Sequence, residues 1–123
     1  MSTAKIVVVS NNERIRCLVR DILQGASYTA TGCDYDSSYI RTVFSCLQPD
    51  ISIIDIGLKW NKLGRDALEY IKEKYPNVRI ILISEIILEN EARDLGAKFF
   101  IKKPFDAPTL LGRVYQCLLS WGE

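Results

Sequence analysis

Asp50-Ile51-Ser52-Ile53-Ile54-Asp55-Ile56-Gly57 is the stretch that decides the fold. Four of its eight residues are isoleucine, and the run is short and almost continuously apolar. A β-branched run of this length suits a strand buried on both faces, as at the centre of a parallel sheet. Asp55 stands near its far end and a glycine follows. Aspartate is disfavoured in strands and is rarely buried without a partner. In open parallel sheets, ligands sit just outside the carboxyl ends of the strands, which is where this carboxylate falls. The plain alternative is a capping or turn aspartate. On this stretch alone both readings stay open.

Working outward, similar β-branched runs flank it. Lys5–Val9 reads as a strand that breaks at Ser10-Asn11-Asn12, residues suited to a turn and a helix cap. Ile15, Leu18, Val19, Ile22 and Leu23 then recur at helical spacing until Gly25. Tyr28–Thr31 reads as a weaker strand near an edge, closed by Gly32. Asp36, Ser37 and Ser38 can cap a helix with apolar face Ile40, Val43, Phe44 and Leu47, stopped by Pro49. Beyond the central strand, a polar loop over Leu58–Gly64 leads to a helix through Ala67, Leu68 and Ile71 that ends before Pro76.

Val78–Ile83 is another buried-strand run, closing at Ser84. A short helix over Glu89–Leu95, capped by Gly96, precedes a fifth strand at Lys98–Ile101. Lys102-Lys103-Pro104-Phe105 follows, and Asp106 with Pro108 opens a last helix with core side Leu110, Leu111, Val114 and Leu118. Strand and helix alternate five times, the signature of an α/β doubly wound parallel sheet. No glycine-rich phosphate loop follows the first strand, which disfavours dinucleotide and P-loop sites. The flavodoxin-like (βα)5 order 2-1-3-4-5 becomes the expected architecture. It gathers Ser10, Asn11, Asp55, Ser84 and Lys103 along one sheet edge.

At 123 residues the chain is expected to form one domain over residues 1–123. Sixteen basic and fifteen acidic residues nearly cancel, so neither nucleic acid nor a membrane surface is implied as a partner. No apolar run is long enough to span a bilayer, and no signal-peptide pattern is present. The scattered Cys17, Cys33, Cys46 and Cys117 suit reduced thiols in a cytoplasmic protein. Histidine is absent, which removes Ser-His and Cys-His nucleophile pairs and His-ligated metals.

With these residues in view, the chain resembles the receiver domain of bacterial two-component response regulators, the CheY-like fold, over essentially its whole length. K-I-V-V-V at Lys5–Val9, P-D-I-S-I-I-D-I at Pro49–Ile56, Ser84, and G-A-K-F-F-I-K-K-P-F at Gly96–Phe105 carry the resemblance. It implies that Asp55 is the phosphoacceptor served by a sensor histidine kinase. It implies Ser84 and Lys103 as partners of the phosphoryl group, with a cis peptide before Pro104. Phe100 falls at the switch aromatic, and Gly57 where a main-chain carbonyl ligates Mg²⁺.

The departures from the family pattern matter as much. Two adjacent acidic residues normally follow the first strand, and here those places hold Ser10 and Asn11. Mg²⁺ usually takes one or two carboxylates plus phosphate oxygens and waters. Asp55, Asn11 and Gly57 make a thin metal set, so Mg²⁺ affinity is expected to be low if the ion binds at all. Glu85 replaces the usual small residue after Ser84, the loop after Asp55 lacks its usual proline and is one residue longer, and the Ser84–Gly96 segment is short by roughly one helical turn. Asp55 and Lys103 can neutralise each other by direct pairing.

The leading expectation is therefore a pseudo-receiver, not an enzyme, that relays a signal by protein–protein contact with weak or no Mg²⁺-dependent phosphorylation at Asp55. The alternative is a functional response regulator phosphorylated on Asp55 by a histidine kinase. A flavin- or nucleotide-binding enzyme on the same fold is a more distant third. Expected partners are a sensor histidine kinase or another signalling protein, and a homodimer is compatible. Ser10 and Asn11 also have a plain reading as cap and turn residues, and Phe99, Phe100 and Phe105 as core aromatics. Ile86-Ile87-Leu88 either fills core space or forms part of a partner face. The ending Trp121-Gly122-Glu123 suits either a stand-alone protein or the first domain of a longer one.

Overall fold

Residues 3–57, 62–85 and 93–120 are described in the computed structural model of the chain. The elements are β1 (Lys5–Val9), α1 (Glu13–Gly25), β2 (Thr29–Cys33), α2 (Ser37–Leu47), β3 (Ile51–Gly57), α3 (Lys62–Lys74), β4 (Arg79–Ser84), β5 (Phe99–Lys102) and α4 (Ala107–Leu119). All strand pairs are parallel, and the sheet order is β2-β1-β3-β4-β5, as the alternation predicts.

Strand periodicity explains the two-sided core. Successive side chains point to opposite faces of a sheet. Ile54 and Ile56 join Val7, Val9 and Leu82 under α2 and α3, against Ile40, Phe44, Ala67, Leu68 and Ile71. Ile51 and Ile53 join Ile6, Val8, Ile81, Ile83 and Ile101 under α1 and α4, against Val19, Leu23, Leu110, Val114 and Cys117. Residues 51–56 of β3 are all buried. A strand covered on both faces has no use for alternation, which is why its sequence is nearly continuous isoleucine.

Several local expectations need correction. β2 starts at Thr29 and runs through Gly32 to Cys33, because Gly32 pairs with Val8 and a Cβ there would sit 3.3 Å from the Arg16 Cβ. The glycine makes room for Arg16 and does not close the strand. Leu18 lies on the outer side of α1 and is half exposed. Cys117 takes a buried place on α4, whereas Leu111 and Leu118 are only partly covered. α1 is followed by left-handed Ser27 (φ 72°), and α2 by left-handed Gln48 (φ 52°) ahead of Pro49.

The expected loop over Leu58–Gly64 is cut short, since α3 already includes Lys62 and the buried Gly64. The N-caps of α1, α2 and α4 are Asn12, Asp36 and Asp106; Ser10 and Asn11 lie ahead of the first cap. Gly96 is left-handed (φ 88°), as a helix-ending glycine should be. Arg93 and Asp94 of the expected Glu89–Leu95 helix are helical, while residues 89–92, Ile86-Ile87-Leu88, and the loop residues 58–61 lie outside the described residues. No helix among the described residues is long and apolar enough to cross a membrane.

Candidate functional site

The parallel register delivers the strand ends to one edge. Asp55 of β3 pairs with Ile83, and after a local shift of register Gly57 pairs with Ser84, while Ser84 pairs with Lys102 of β5. Lys103 follows directly; its N–H donates to the Ser84 carbonyl at 2.9 Å, and its peptide to Pro104 is cis. On the other side, the β1 end places Ser10 next to β3.

At this edge Asp55 is 2 % exposed, and each of its carboxylate oxygens has a named partner. Lys103 Nζ lies 2.9 Å from Oδ1. The Ser10 hydroxyl donates to Oδ2 at 2.9 Å. Ser10 is itself fully buried and held from several directions. Its Oγ accepts the Asn12 N–H at 3.0 Å, its own N–H donates to the Cys33 carbonyl at 3.0 Å, and its carbonyl accepts from Arg16 Nη1 at 2.6 Å. Arg16 in turn lies 4.0 Å from the Asp34 carboxylate. A buried charge pair of this kind is costly to break, because removing one member strands the other without water.

Among the residues singled out from sequence, Asp55, Ser10 and Lys103 are in direct contact. Ser84 is buried at the end of β4 and bonded through its carbonyl to Lys103. Gly57 closes β3 just past the register shift. The Asn11 side chain is exposed, and its main-chain amide faces the Tyr35 hydroxyl. Phe100 is half-buried against the α2–α3 core, with its carbonyl accepting from Arg113 Nε at 3.3 Å. Glu85 is exposed and, with Ile15, Leu18, Lys103, Pro104 and Phe105, lines a groove of about 520 Å³ beside the site.

Tyr35, Arg16 and Gly64 were missed by sequence reasoning. The Tyr35 hydroxyl donates to the main-chain carbonyl of Asp55. Burial, and then the Asp55 charge, push this phenol well up, so it stays a protonated donor. Gly64 lets α3 approach, since a Cβ there would lie 2.9 Å from Ile56 Cα and 3.1 Å from the Tyr35 hydroxyl oxygen. One signal was available: Asp34-Tyr35-Asp36 sets a large aromatic inside a polar turn, where only burial explains it.

The donor chemistry can be tested against Mg²⁺, a hard cation that favours carboxylate oxygens in octahedral array. Among the described residues no group of three or more acidic or thiol side chains is placed to hold a metal ion. Asp55 is the carboxylate in contact with Lys103 and Ser10 among the described residues, and both its oxygens are engaged. The Asn11 amide and the Gly57 carbonyl do not make up the difference. These residues do not fit the ion.

Comparison with known proteins decides the family. The model described as "Response regulator receiver domain" matches residues 6–115. The chain belongs to the response regulator receiver family. Protein CcdB of Bacillus subtilis is 31% identical over 113 residues, covering 89% of this receiver and 93% of that protein. Chemotaxis protein CheY of Thermotoga maritima is 31% identical over 104 residues, covering 82% and 86%. The nitrogen assimilation regulatory protein NtrX of Azorhizobium caulinodans is 32% identical over 111 residues, and there the match spans 86% of this receiver and 24% of NtrX.

Among solved structures, NtrX from Brucella abortus superposes with a TM-score of 0.82 at 28% identity, over 97% of this receiver and 27% of that chain. Vibrio cholerae CheY4 gives a TM-score of 0.81 at 21% identity over 94% and 99%, which speaks to the fold alone. Receiver domains are signalling modules that interact with histidine kinases and other signalling proteins. The family match fixes that broad role for this receiver too.

Proposed function

We propose that this receiver is a pseudo-receiver, a single domain over residues 1–123 that passes a signal by protein–protein contact in the cytoplasm. Asp55 is proposed to undergo weak or no Mg²⁺-dependent phosphorylation. One observation carries the reading: both Asp55 oxygens are engaged, by Lys103 and Ser10, and among the described residues no group of three or more acidic or thiol side chains is gathered to hold a metal ion. A transferring phosphoryl group spreads negative charge over its oxygens, and catalysis of the transfer is mostly positioning and neutralisation of that charge. Lys103 offers one positive charge here, already spent on Asp55. Ser84, at the strand end beside Lys103, and Phe100 keep the places the family uses for response to phosphorylation. We read them as residual site architecture. The partner is a sensor histidine kinase or another signalling protein.

A second reading is favoured by one contact. Lys103 lies against Asp55, as a lysine serving an aspartyl phosphate should, so a phosphoacceptor role at Asp55 remains the competing reading. No glycine-rich loop or catalytic pair supports a flavin- or nucleotide-binding enzyme.

The test is a titration with Mg²⁺ followed by beryllofluoride, a mimic of the aspartyl phosphate, read by tryptophan fluorescence and calorimetry. No saturable response is expected. A saturable response that Asp55→Asn abolishes would overturn the pseudo-receiver reading in favour of the second. The double variant Ser10→Asp with Asn11→Asp is expected to acquire Mg²⁺ binding, since it restores the missing oxygen donors.

A further inference from the structure

The phenol of Tyr35 is a buried titratable group to which the proposed function gives no part. It sits in the turn between β2 and α2 yet reaches under the site. Its hydroxyl gives its proton to the main-chain carbonyl of Asp55, at the end of β3, and the main-chain amide of Asn11, in the β1–α1 loop, faces the same oxygen. That oxygen thus lies between the two segments whose side chains, Ser10 and Asp55, meet. Space for that oxygen depends on α3, because a side chain at Gly64 would come within 3.1 Å of it. The ring is 8 % exposed and packs with Cys33, Ile56 and Ala67.

We propose that Tyr35 is a positioning residue for Asp55: its hydroxyl sets the backbone of the aspartate, and so aims the carboxylate at Lys103 and Ser10. Both carboxylate contacts are at 2.9 Å, and hydrogen bonds weaken steeply once their geometry is lost. A backbone anchored at its carbonyl leaves the Asp55 side chain little freedom to swing away. The inference rests on Asp55 being the working residue of the site, and it holds whether or not a phosphoryl group is ever carried there.

Tyr35→Phe tests it, because it keeps the ring and removes only the oxygen. Tyr75→Phe is the control; it removes a phenolic hydroxyl from a ring packed against Phe44 and Tyr70, away from the site. NMR on labelled protein follows three signals: exchange of the Asn11 amide, exchange of the Lys103 ammonium protons, and the Asp55 carboxyl carbon shift. In Tyr35→Phe both exchange rates are expected to rise by about tenfold, the opening cost of roughly one hydrogen bond. The Asp55 carboxyl signal is expected to move as well. Tyr75→Phe should leave all three at their wild-type values.

Unchanged Lys103 and Asp55 signals in Tyr35→Phe would overturn the positioning role. So would equal changes in the two variants, which would mark a general loosening. If Tyr35→Phe does not fold, the wild-type protein still decides: a slowly exchanging Tyr35 hydroxyl proton in contact with the Asn11 amide is expected, and its absence overturns the proposal. Failure of the pseudo-receiver reading would show as a wild-type metal response, a separate measurement from these.

Discussion

Asp55 is where the physical conflict of this molecule is concentrated, since a carboxylate 2 % exposed must be paired or be very costly. The Lys103 ammonium supplies the pairing charge, and its own side chain is only 15% exposed. Lys103→Met should therefore lower the unfolding free energy by about 3–5 kcal/mol, the usual cost of stranding a buried charge. Asp55→Asn combined with Lys103→Met should cost clearly less than the two single changes summed. Urea unfolding of the four proteins measures both, and a purely additive cycle would show that the pair is not coupled. The pairing of Asp55 with Lys103 was legible in sequence because the strand end and Lys103 fall at family spacing. The Ser10 contact was not: a serine after a strand reads first as a cap, and only the structure turns its hydroxyl toward β3 and gives the cap to Asn12.

Among the elements, α3 is the one whose placement rests on a single residue. Gly64 is helical and buried, and an added Cβ would meet the Ile56 backbone at 2.9 Å, which no side-chain rotation can relieve. Gly64→Ala would gain helix propensity in isolation, yet here it should destabilise by about 1–3 kcal/mol through overpacking. Thermal unfolding checks the sign, and a stabilised Gly64→Ala variant would contradict the close approach of α3 to β3. Elements with strong periodicity were easy to read. β3, β4 and α2 follow their apolar patterns because burial on a fixed face dictates the residue type. Gly32 and Gly64 were misread as a strand end and a loop residue. A glycine that admits a neighbour's atoms looks the same in sequence as a glycine that makes a turn.

For the whole molecule, the two-sided core follows from alternation and composition, while the strand order was read with the further help of a missing glycine-rich phosphate loop after β1. The same core sets the response to pH. Burial first, and then Asp34, push the Cys33 thiol up to about 12 from 9.0. Burial likewise raises the Cys117 thiol and the Tyr35 phenol. A group with a raised folded value binds its proton more tightly when folded. Its stabilisation is complete below the unfolded value and is lost as pH rises toward the folded one. The stability of the protein should thus decline above about pH 9, and Cys33→Ala should flatten that alkaline arm. The capping carboxylates Asp36 and Asp106 are lowered by their hydrogen bonds to Ser38 and Thr109, so their contribution is lost only as pH falls below 3.8. Urea midpoints across the pH range check both arms, and an alkaline slope unchanged in Cys33→Ala would assign it elsewhere.

The Lys103–Asp55 contact has a consequence in terms of mass action. A cation drawn from solution occupies its site according to its concentration and departs on dilution or when a chelator competes for it. The ammonium of Lys103 is tethered to the same chain, so its local concentration beside Asp55 is set by the fold and by nothing in the buffer. The melting temperature should therefore be indifferent to added EDTA and to millimolar Mg²⁺. A receiver balanced in this way carries its counter-ion with it.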